Sequence, residues 1–207
     1  MHSSESPFVD RKDAGRLLAE RLKVYQKNIS VVFAIPRGGV PVAIEVAKYF
    51  FCELDIIVPR KIPIPFNTEA GYGAVTEDGI IVLNKPLVRQ LGFGEDDIKR
   101  HAQKVMEEIA RRQQVFRKII LPLSVTGKTV IAIDDGIASG YTMAAAIRSL
   151  RKRGAKKVIA AAPVASESGR QIAAGEADEV VARLFPLRIL LPWPVSTSIG
   201  MILMMKK

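Results

Sequence analysis

Only one of the 207 residues is cysteine, Cys52, so the chain can build neither an internal disulfide nor a cysteine-rich metal framework. That usage points to a reducing compartment, and the cytoplasm is the expected location. Aromatic residues are scarce at 6%, with a single Trp. No basic stretch is interleaved with rings on which bases could stack. Residues Met1 to Pro7 lack the basic segment and apolar run of a secretory signal. There is no internal repeat and no low-complexity linker. What is present is 48% hydrophobic and 25% charged, enough apolar surface for one sizeable core.

Thirty-one Lys and Arg against 21 Asp and Glu give a formal charge of +10, a balance that ordinarily suggests an anionic partner. The densest basic run, Arg151-Lys152-Arg153 with Lys156-Lys157, falls where a helix should end, and cations there favour the dipole. It reads as a solvated helix terminus. Nucleic acid is therefore not an expected partner.

Behind Asp10, which can cap, Ala14, Leu17, Leu18 and Leu22 recur at helical spacing and predict an amphipathic opening helix. Val31 to Ile35 is a continuous apolar run of strand length, followed by Pro36-Arg37-Gly38-Gly39 and a helical segment from Val40 to Phe50. Leu54 to Val58 is a second strand. A polar, Pro- and Gly-containing loop follows, then a hairpin over 74–83 that turns at Asp78-Gly79. From Glu95 to Lys118 a charged segment with Ile98, Val105, Ile109 and Phe116 on one side predicts a helix laid against the sheet and ending before Pro122. Thr129 to Ile133 is a buried strand, Thr142 to Arg153 a helix closed by Gly154, and Val158 to Val164 the next strand. Ser166 to Ala174 forms a further helix before the strand at 178–181. Apolar strands alternating with helices predict an α/β fold, a parallel sheet with right-handed crossovers flanked by helices.

The segment Ile131 to Thr142 runs from that buried strand through two adjacent acids, Asp134 and Asp135, into a small-residue loop that opens a helix. In an open α/β sheet ligands sit at the C-terminal ends of strands. The small residues Ala138, Ser139 and Gly140, with Tyr141 and Thr142, let backbone N–H groups converge on an anion at a helix N-terminus. Ser139 and Thr142 add hydroxyl donors. This reads as a phosphate cradle. Two acids just ahead of it would repel a bare phosphate, so they require another partner: ribose hydroxyls, a magnesium ion, or both. The plainer alternative is that the acids cap a turn and Gly140 starts a helix.

A hydrophobic strand, two acids and a Gly/Thr-rich loop resemble the hallmark of the type I phosphoribosyltransferases, which bind 5-phosphoribosyl-1-pyrophosphate (PRPP). The resemblance extends to Asp10-Arg11 with Ala14-Gly15-Arg16, to Pro36 through Ala43, to Val58-Pro59-Arg60-Lys61 and to Gly73-Ala74-Val75. These look like a bacterial and archaeal group of predicted phosphoribosyltransferases, and the likeness covers about residues 8–182. It implies a Rossmann-like core with a flap hairpin in a domain spanning 1–183.

By that resemblance Asp134 and Asp135 are the catalytic acids. They would hold ribose hydroxyls directly or through Mg2+, the implied cofactor. Ala138 to Thr142 would bind the 5-phosphate. Arg37, Gly38 and Gly39 look like the pyrophosphate loop, the glycines letting backbone approach the anion, where a plain βα turn is the other reading. Arg60 and Lys61 add charge against the phosphates or else sit on a solvated loop. Residues Ile62 to Tyr72 resemble the mobile flap. The 6-oxopurine branch carries an Asp where Ala138 stands, which argues against hypoxanthine or guanine as acceptor. Glu69 is a speculative general base, and Tyr72 can equally pack against the sheet. His2 and His101 read as structural or solvated, having no second ligand at metal spacing. The implied reaction moves the phosphoribosyl group from PRPP to a small nitrogenous acceptor with release of pyrophosphate. The alternative is a catalytically weak PRPP-binding regulator. The two long helices offer surface for a homo-oligomer.

Residues 184–207 do not fit. They contain no acid, and 17 uncharged residues run from Ile189 to Met205, but Pro192 and Pro194 interrupt any helical span, so a membrane anchor is not expected. Relatives of the group end instead in an acidic, aromatic segment resembling Phe-x-x-Val-Gly-x-Phe-Tyr. Permitted codons for Pro186 to Lys207, read one base back from the next codon boundary, give Phe-Glu-Asp-Phe-Thr-Ala-Val-Ala-Gly-Phe-Tyr followed by a run rich in acids. A frameshift near Phe185 is the expectation. Undoing it removes three cations and adds nine acids, turning +10 into about −2.

Overall fold

Alternate residues of three apolar runs face opposite ways. Val32, Ala34, Ile131, Ile133, Ile159 and Ala161 enter one core, while Val31, Phe33, Val130, Ala132, Val158 and Ala160 enter another. Both faces of these strands are buried, which is why they read as continuous apolar runs. The structure is a computed structural model and describes residues 8–117 and 122–184. In chain order the elements are α1 (Arg11–Leu22), a 3-10 turn (Lys23–Tyr25), β1 (Ile29–Ala34), α2 (Gly39–Phe50), β2 (Glu53–Ile56), β3 (Arg60–Ile64), β4 (Asn67–Val75), β5 (Ile81–Leu83), α3 (Lys85–Leu91), α4 (Glu95–Arg117), β6 (Thr129–Ile133), α5 (Tyr141–Lys152), β7 (Lys157–Ala165), α6 (Glu167–Ala174) and β8 (Glu179–Leu184).

Five strands form a parallel sheet in the order β2-β1-β6-β7-β8. Leu18 and Leu22 of α1, the apolar side of α2, and Ala102, Val105 and Ile109 of α4 fill the first core. Met143, Ile147 and Leu150 of α5 and Ala173 of α6 fill the second. Side-chain caps set three helix starts: Asp10 accepts from the Asp13 N–H, Asn84 from Leu87 and Ser166 from Gly169. The expected parallel α/β sheet is therefore present.

A second, antiparallel sheet of order β3-β4-β5 adds what the sequence reading only half supplied. The hairpin over 74–83 is β4–β5, with Gly79 at φ +79° in its turn. The expected loop from Ile62 to Tyr72 is itself mostly strand, the β3–β4 hairpin with exposed Phe66 at its tip. Its Pro and Gly content hid the pairing, because those residues are depleted in strands. Arg60 and Lys61 accordingly start β3 rather than ending β2. Helix α3 was not anticipated. Ala74 and Val82 of this sheet pack on Ala144 and Ala145 of α5, whose small side chains allow the close approach. The Phe116 side chain, His2 and the tail from 185 onward lie outside the described residues.

The basic run is ion-paired rather than merely solvated. Arg151 meets Asp178 at 3.0 Å, Lys152 meets Asp78 at 3.8 Å, and Lys157 meets Glu179 at 2.5 Å. Arg153 lies over the Phe33 ring and reaches the fully buried Asp55, which also accepts the Leu123 N–H at 3.0 Å. These pairings tie the local cluster to the protein's own acids, while the net charge of +10 is unchanged by them.

Cys52 is half-buried, and burial pushes its thiol up to about 11. At pH 8 only about one molecule in a thousand carries the thiolate. Alkylation by iodoacetamide at pH 8 should therefore run far slower than for free cysteine and speed up on unfolding, which a mass-resolved time course would read.

Candidate functional site

After β1 the chain crosses through α2 to β2 on one side, whereas β6 and the strands that follow lie on the other side of β1. The winding direction thus reverses between β1 and β6, and such a reversal opens a crevice at the strands' C-terminal ends. Ala34 is in register with Ile133, and the Ile35 N–H donates to the Ile133 carbonyl at 2.8 Å. The turn 36–39 therefore lies directly beside Asp134 and Asp135. Gly39 N–H donates back to Ile35 and Val40 N–H to Arg37, closing the turn and leaving the Arg37 side chain exposed.

The glycines of this turn have a packing reason that the sequence did not show. A Cβ on Gly38 would stand 2.0 Å from Oδ2 of Asp135, and one on Gly39 would stand 2.6 Å from the Ile133 carbonyl oxygen. Both contacts are far inside van der Waals range. The bare backbone first makes room for the protein's own carboxylate and strand end.

The acid pair carries its own electrostatics. Asp135 N–H donates to Oδ1 of Asp134 at 2.8 Å. Burial, then the charge of Asp135, pushes the Asp134 carboxyl well above the usual carboxylate range, and Arg11 opposes the shift. Arg11, the first residue of α1, donates from Nε and Nη2 to the same Oδ2 of Asp135 at 2.9 and 2.8 Å. Asp134 and Asp135 are the candidate metal ligands. Among the described residues no group of three or more His, Cys, Asp or Glu could hold an ion. A magnesium site that takes only two carboxylates and fills its shell with substrate oxygens and water asks for none.

Downstream, Ala138 and Ser139 are exposed, Gly140 is buried at φ +80°, and Tyr141 and Thr142 are half-buried in the first turn of α5. The helix's first backbone bond runs from Ala144 N–H to the Gly140 carbonyl at 2.9 Å, so the N–H groups just ahead are those that a helix cannot satisfy internally. Helix α6 braces the loop. Ser166 N–H donates to the Ile137 carbonyl at 2.9 Å, its hydroxyl donates to the Ala138 carbonyl at 2.5 Å, and the same oxygen accepts from Gly169 N–H at 2.8 Å. Holding the loop's carbonyls on protein donors turns them away from an anion. This role of Ser166 was missed in the sequence, where the residue reads only as the first of a further helix.

The remaining expected residues are less converged. Arg60 pairs with Glu108 of α4 at 3.7 Å, and the Lys61 ammonium donates to the Glu69 carbonyl within the hairpin. Glu69 is exposed at the hairpin. Tyr72 is fully buried, its hydroxyl 2.9 Å from His101 Nδ1 and its ring against Phe93, with burial pushing the phenol up to about 12. His101 and Tyr72 thus tie the hairpin base to α4, the structural reading. Among the described residues no helix is long and apolar enough to cross a membrane.

Comparison with known proteins agrees with this geometry. The crystal structure of TT1426 from Thermus thermophilus matches with a TM-score of 0.79 at 33% identity, covering 97% of this chain and 99% of its own. Two curated proteins of Mycobacterium tuberculosis, strains CDC 1551 / Oshkosh and ATCC 25618 / H37Rv, are provisionally named phosphoribosyl transferases. Each is 42% identical over 179 residues, 86% of this chain. The chain spans 40% of the length of those relatives. A family model described as the phosphoribosyl transferase domain matches residues 74–186, more than half of the sequence and including the acid pair and the loop that opens α5. With strand, acids, loop and helix in that order at the reversal point, the chain belongs to the phosphoribosyl transferase family.

Proposed function

We propose that the chain transfers the 5-phosphoribosyl group of PRPP to a small nitrogenous acceptor. A nitrogen lone pair forms the bond to the anomeric carbon as the bond from that carbon to pyrophosphate oxygen breaks. Pyrophosphate leaves with the electron pair, and the acceptor nitrogen gives up a proton. The observation that carries this reading is the convergence of three groups at the β1/β6 crevice: the 36–39 turn, the acid pair and the N-terminus of α5.

In this reading the N–H groups of residues 138–142 and the hydroxyls of Ser139 and Thr142 hold the 5-phosphate at the helix N-terminus. Asp134 and Asp135 hold the ribose hydroxyls and stabilise the oxocarbenium-like centre. Arg37 and the backbone of Gly38 and Gly39 face the pyrophosphate. Arg60 and Lys61 serve it once phosphate oxygens replace Glu108 and the Glu69 carbonyl. The same two acids fit Mg2+, which when bound neutralises the leaving pyrophosphate. Most of the rate enhancement comes from holding reactants in line. The cytoplasm supplies such substrates, and we place the reaction there, with 1–183 as the functional domain and a frameshifted tail after it. An in-frame gene read through residues 186–207 would refute the frameshift.

Ala138 offers no carboxylate to a base, so hypoxanthine and guanine should be among the poorest acceptors. The test is pyrophosphate release from Mg-PRPP across purines, pyrimidines and other nitrogen compounds. Release with one acceptor class supports transfer. Tight PRPP binding with no release by any acceptor favours the regulatory alternative, and absence of PRPP binding removes both.

A further inference from the structure

We infer that Arg11 is a positioning residue of the site, the group that seats the Asp135 carboxylate against the bare backbone of Gly38. The inference rests on the phosphoribosyl reading for its kinetic consequence and on geometry for the seat itself. Asp135 lies at a strand end, next to a like-charged neighbour that repels it, and two rotatable bonds would let its carboxylate swing away. Two features oppose that freedom. Gly38 leaves a space that any Cβ would close, since its nearest neighbours there would be Oδ2, Cγ and Oδ1 of Asp135 at 2.0, 2.3 and 2.6 Å. Arg11 then grips Oδ2 with two donors at 2.9 and 2.8 Å, from a side chain only 16% exposed. Two charge-assisted bonds from one planar fork fix direction as well as distance.

The reach of Arg11 depends on the close packing of α1 on α2. A Cβ on Gly15 would stand 2.8 Å from the Val42 carbonyl oxygen and 3.0 Å from Glu45 Cβ, so the glycine lets the helices meet backbone to backbone. Arg16 also pairs with Glu45 at 3.3 Å. The opening helix therefore holds the acid pair from 124 residues away in sequence. It belongs to the site, although none of the phosphate-binding segments lies on it.

Two measurements test this. In the protein without ligand, the Arg11 Nε–H resonance should be shifted downfield and slow to exchange, and in Asp135→Asn it should move upfield and exchange faster. A fast-exchanging, unshifted resonance in the wild type overturns the seat, whatever the substrate proves to be. The second is a kinetic cycle with Mg-PRPP and the best acceptor. Arg11→Met should lower kcat about 10- to 100-fold with a smaller change in the KM for PRPP, as misplacement of a contacting group predicts. Arg11→Lys, which keeps the charge and loses the fork, should fall between. In the Asp135→Asn background Arg11→Met should cost nothing further. Losses that multiply, or an effect confined to KM, overturn positioning, because Arg11 would then act independently of Asp135. A wild type inert toward PRPP defeats the phosphoribosyl reading and leaves the seat to be decided by the resonance alone.

Discussion

Gly140→Val should abolish binding of PRPP and of ribose 5-phosphate alike, and it should lower the melting temperature as well. The backbone at Gly140 has φ +80°, where a β-branched residue is strained by roughly 1–2 kcal/mol. Its Cβ would stand 2.5 Å from the Gly169 carbonyl oxygen and 2.8 Å from Ile172 Cβ, and such overpacking costs about 1–3 kcal/mol more. The loop and α6 must therefore part, lowering the melting temperature by on the order of 10 °C. The collision is with α6, the helix that braces the loop. Ser166→Ala supplies a milder companion, since it deletes the hydroxyl that holds the Ala138 carbonyl and caps α6, at about 1 kcal/mol. It should fold and still bind PRPP several-fold more weakly. Calorimetric titration with PRPP, ribose 5-phosphate and inorganic phosphate reads both variants. Wild-type affinity in Gly140→Val would remove 138–142 from the phosphate site.

Legibility followed the range of the forces involved. The parallel sheet could be read because each strand is buried on both faces, so Val31 to Ile35 and Thr129 to Ile133 are unbroken apolar runs. The acid pair and loop could be read because all their chemistry lies within a dozen consecutive residues. The β3–β4 hairpin was half-hidden, since Ile62, Pro63 and Gly71 mix strand and breaker signals, and its pairing is irregular at Ile62/Pro63 and Pro63/Ile64. Arg11 was visible as part of the Asp10-Arg11 motif but had no assignable partner, because Asp135 lies 124 positions away. Ser166 and Gly169 likewise gain meaning only when α6 is docked under residues 137–140. For Gly38 a packing reason was not readable in the sequence: the atom nearest to its missing Cβ belongs to Asp135.

Asp134→Asn and Asp135→Asn should each lower turnover by about 100-fold or more, the scale of losing one pre-aligned electrostatic group, and each should weaken the dependence of PRPP binding on magnesium. In stability the two should differ. Burial and the neighbouring Asp135 raise the Asp134 carboxyl above its ordinary value. A raised folded-state pKa favours the native state below the unfolded value, and that advantage is lost as pH rises through the folded pKa. Above the unfolded value the acid is therefore a cost that Asp134→Asn removes, and this variant should melt at or above the wild-type temperature at neutral pH, with the gain fading toward acid. Asp135→Asn instead replaces the carboxylate that takes two charge-assisted bonds from a guanidinium only 16% exposed with a neutral amide, so it should melt lower. Neither change touches the loop that opens α5, so affinity for inorganic phosphate should hold or rise as negative charge is withdrawn. Thermal melts from pH 4 to 8 and titrations with and without magnesium separate these effects. Unchanged turnover and unchanged PRPP affinity in both variants would remove the acid pair from the site while leaving the fold intact, because both residues stand at the end of β6 rather than inside either core.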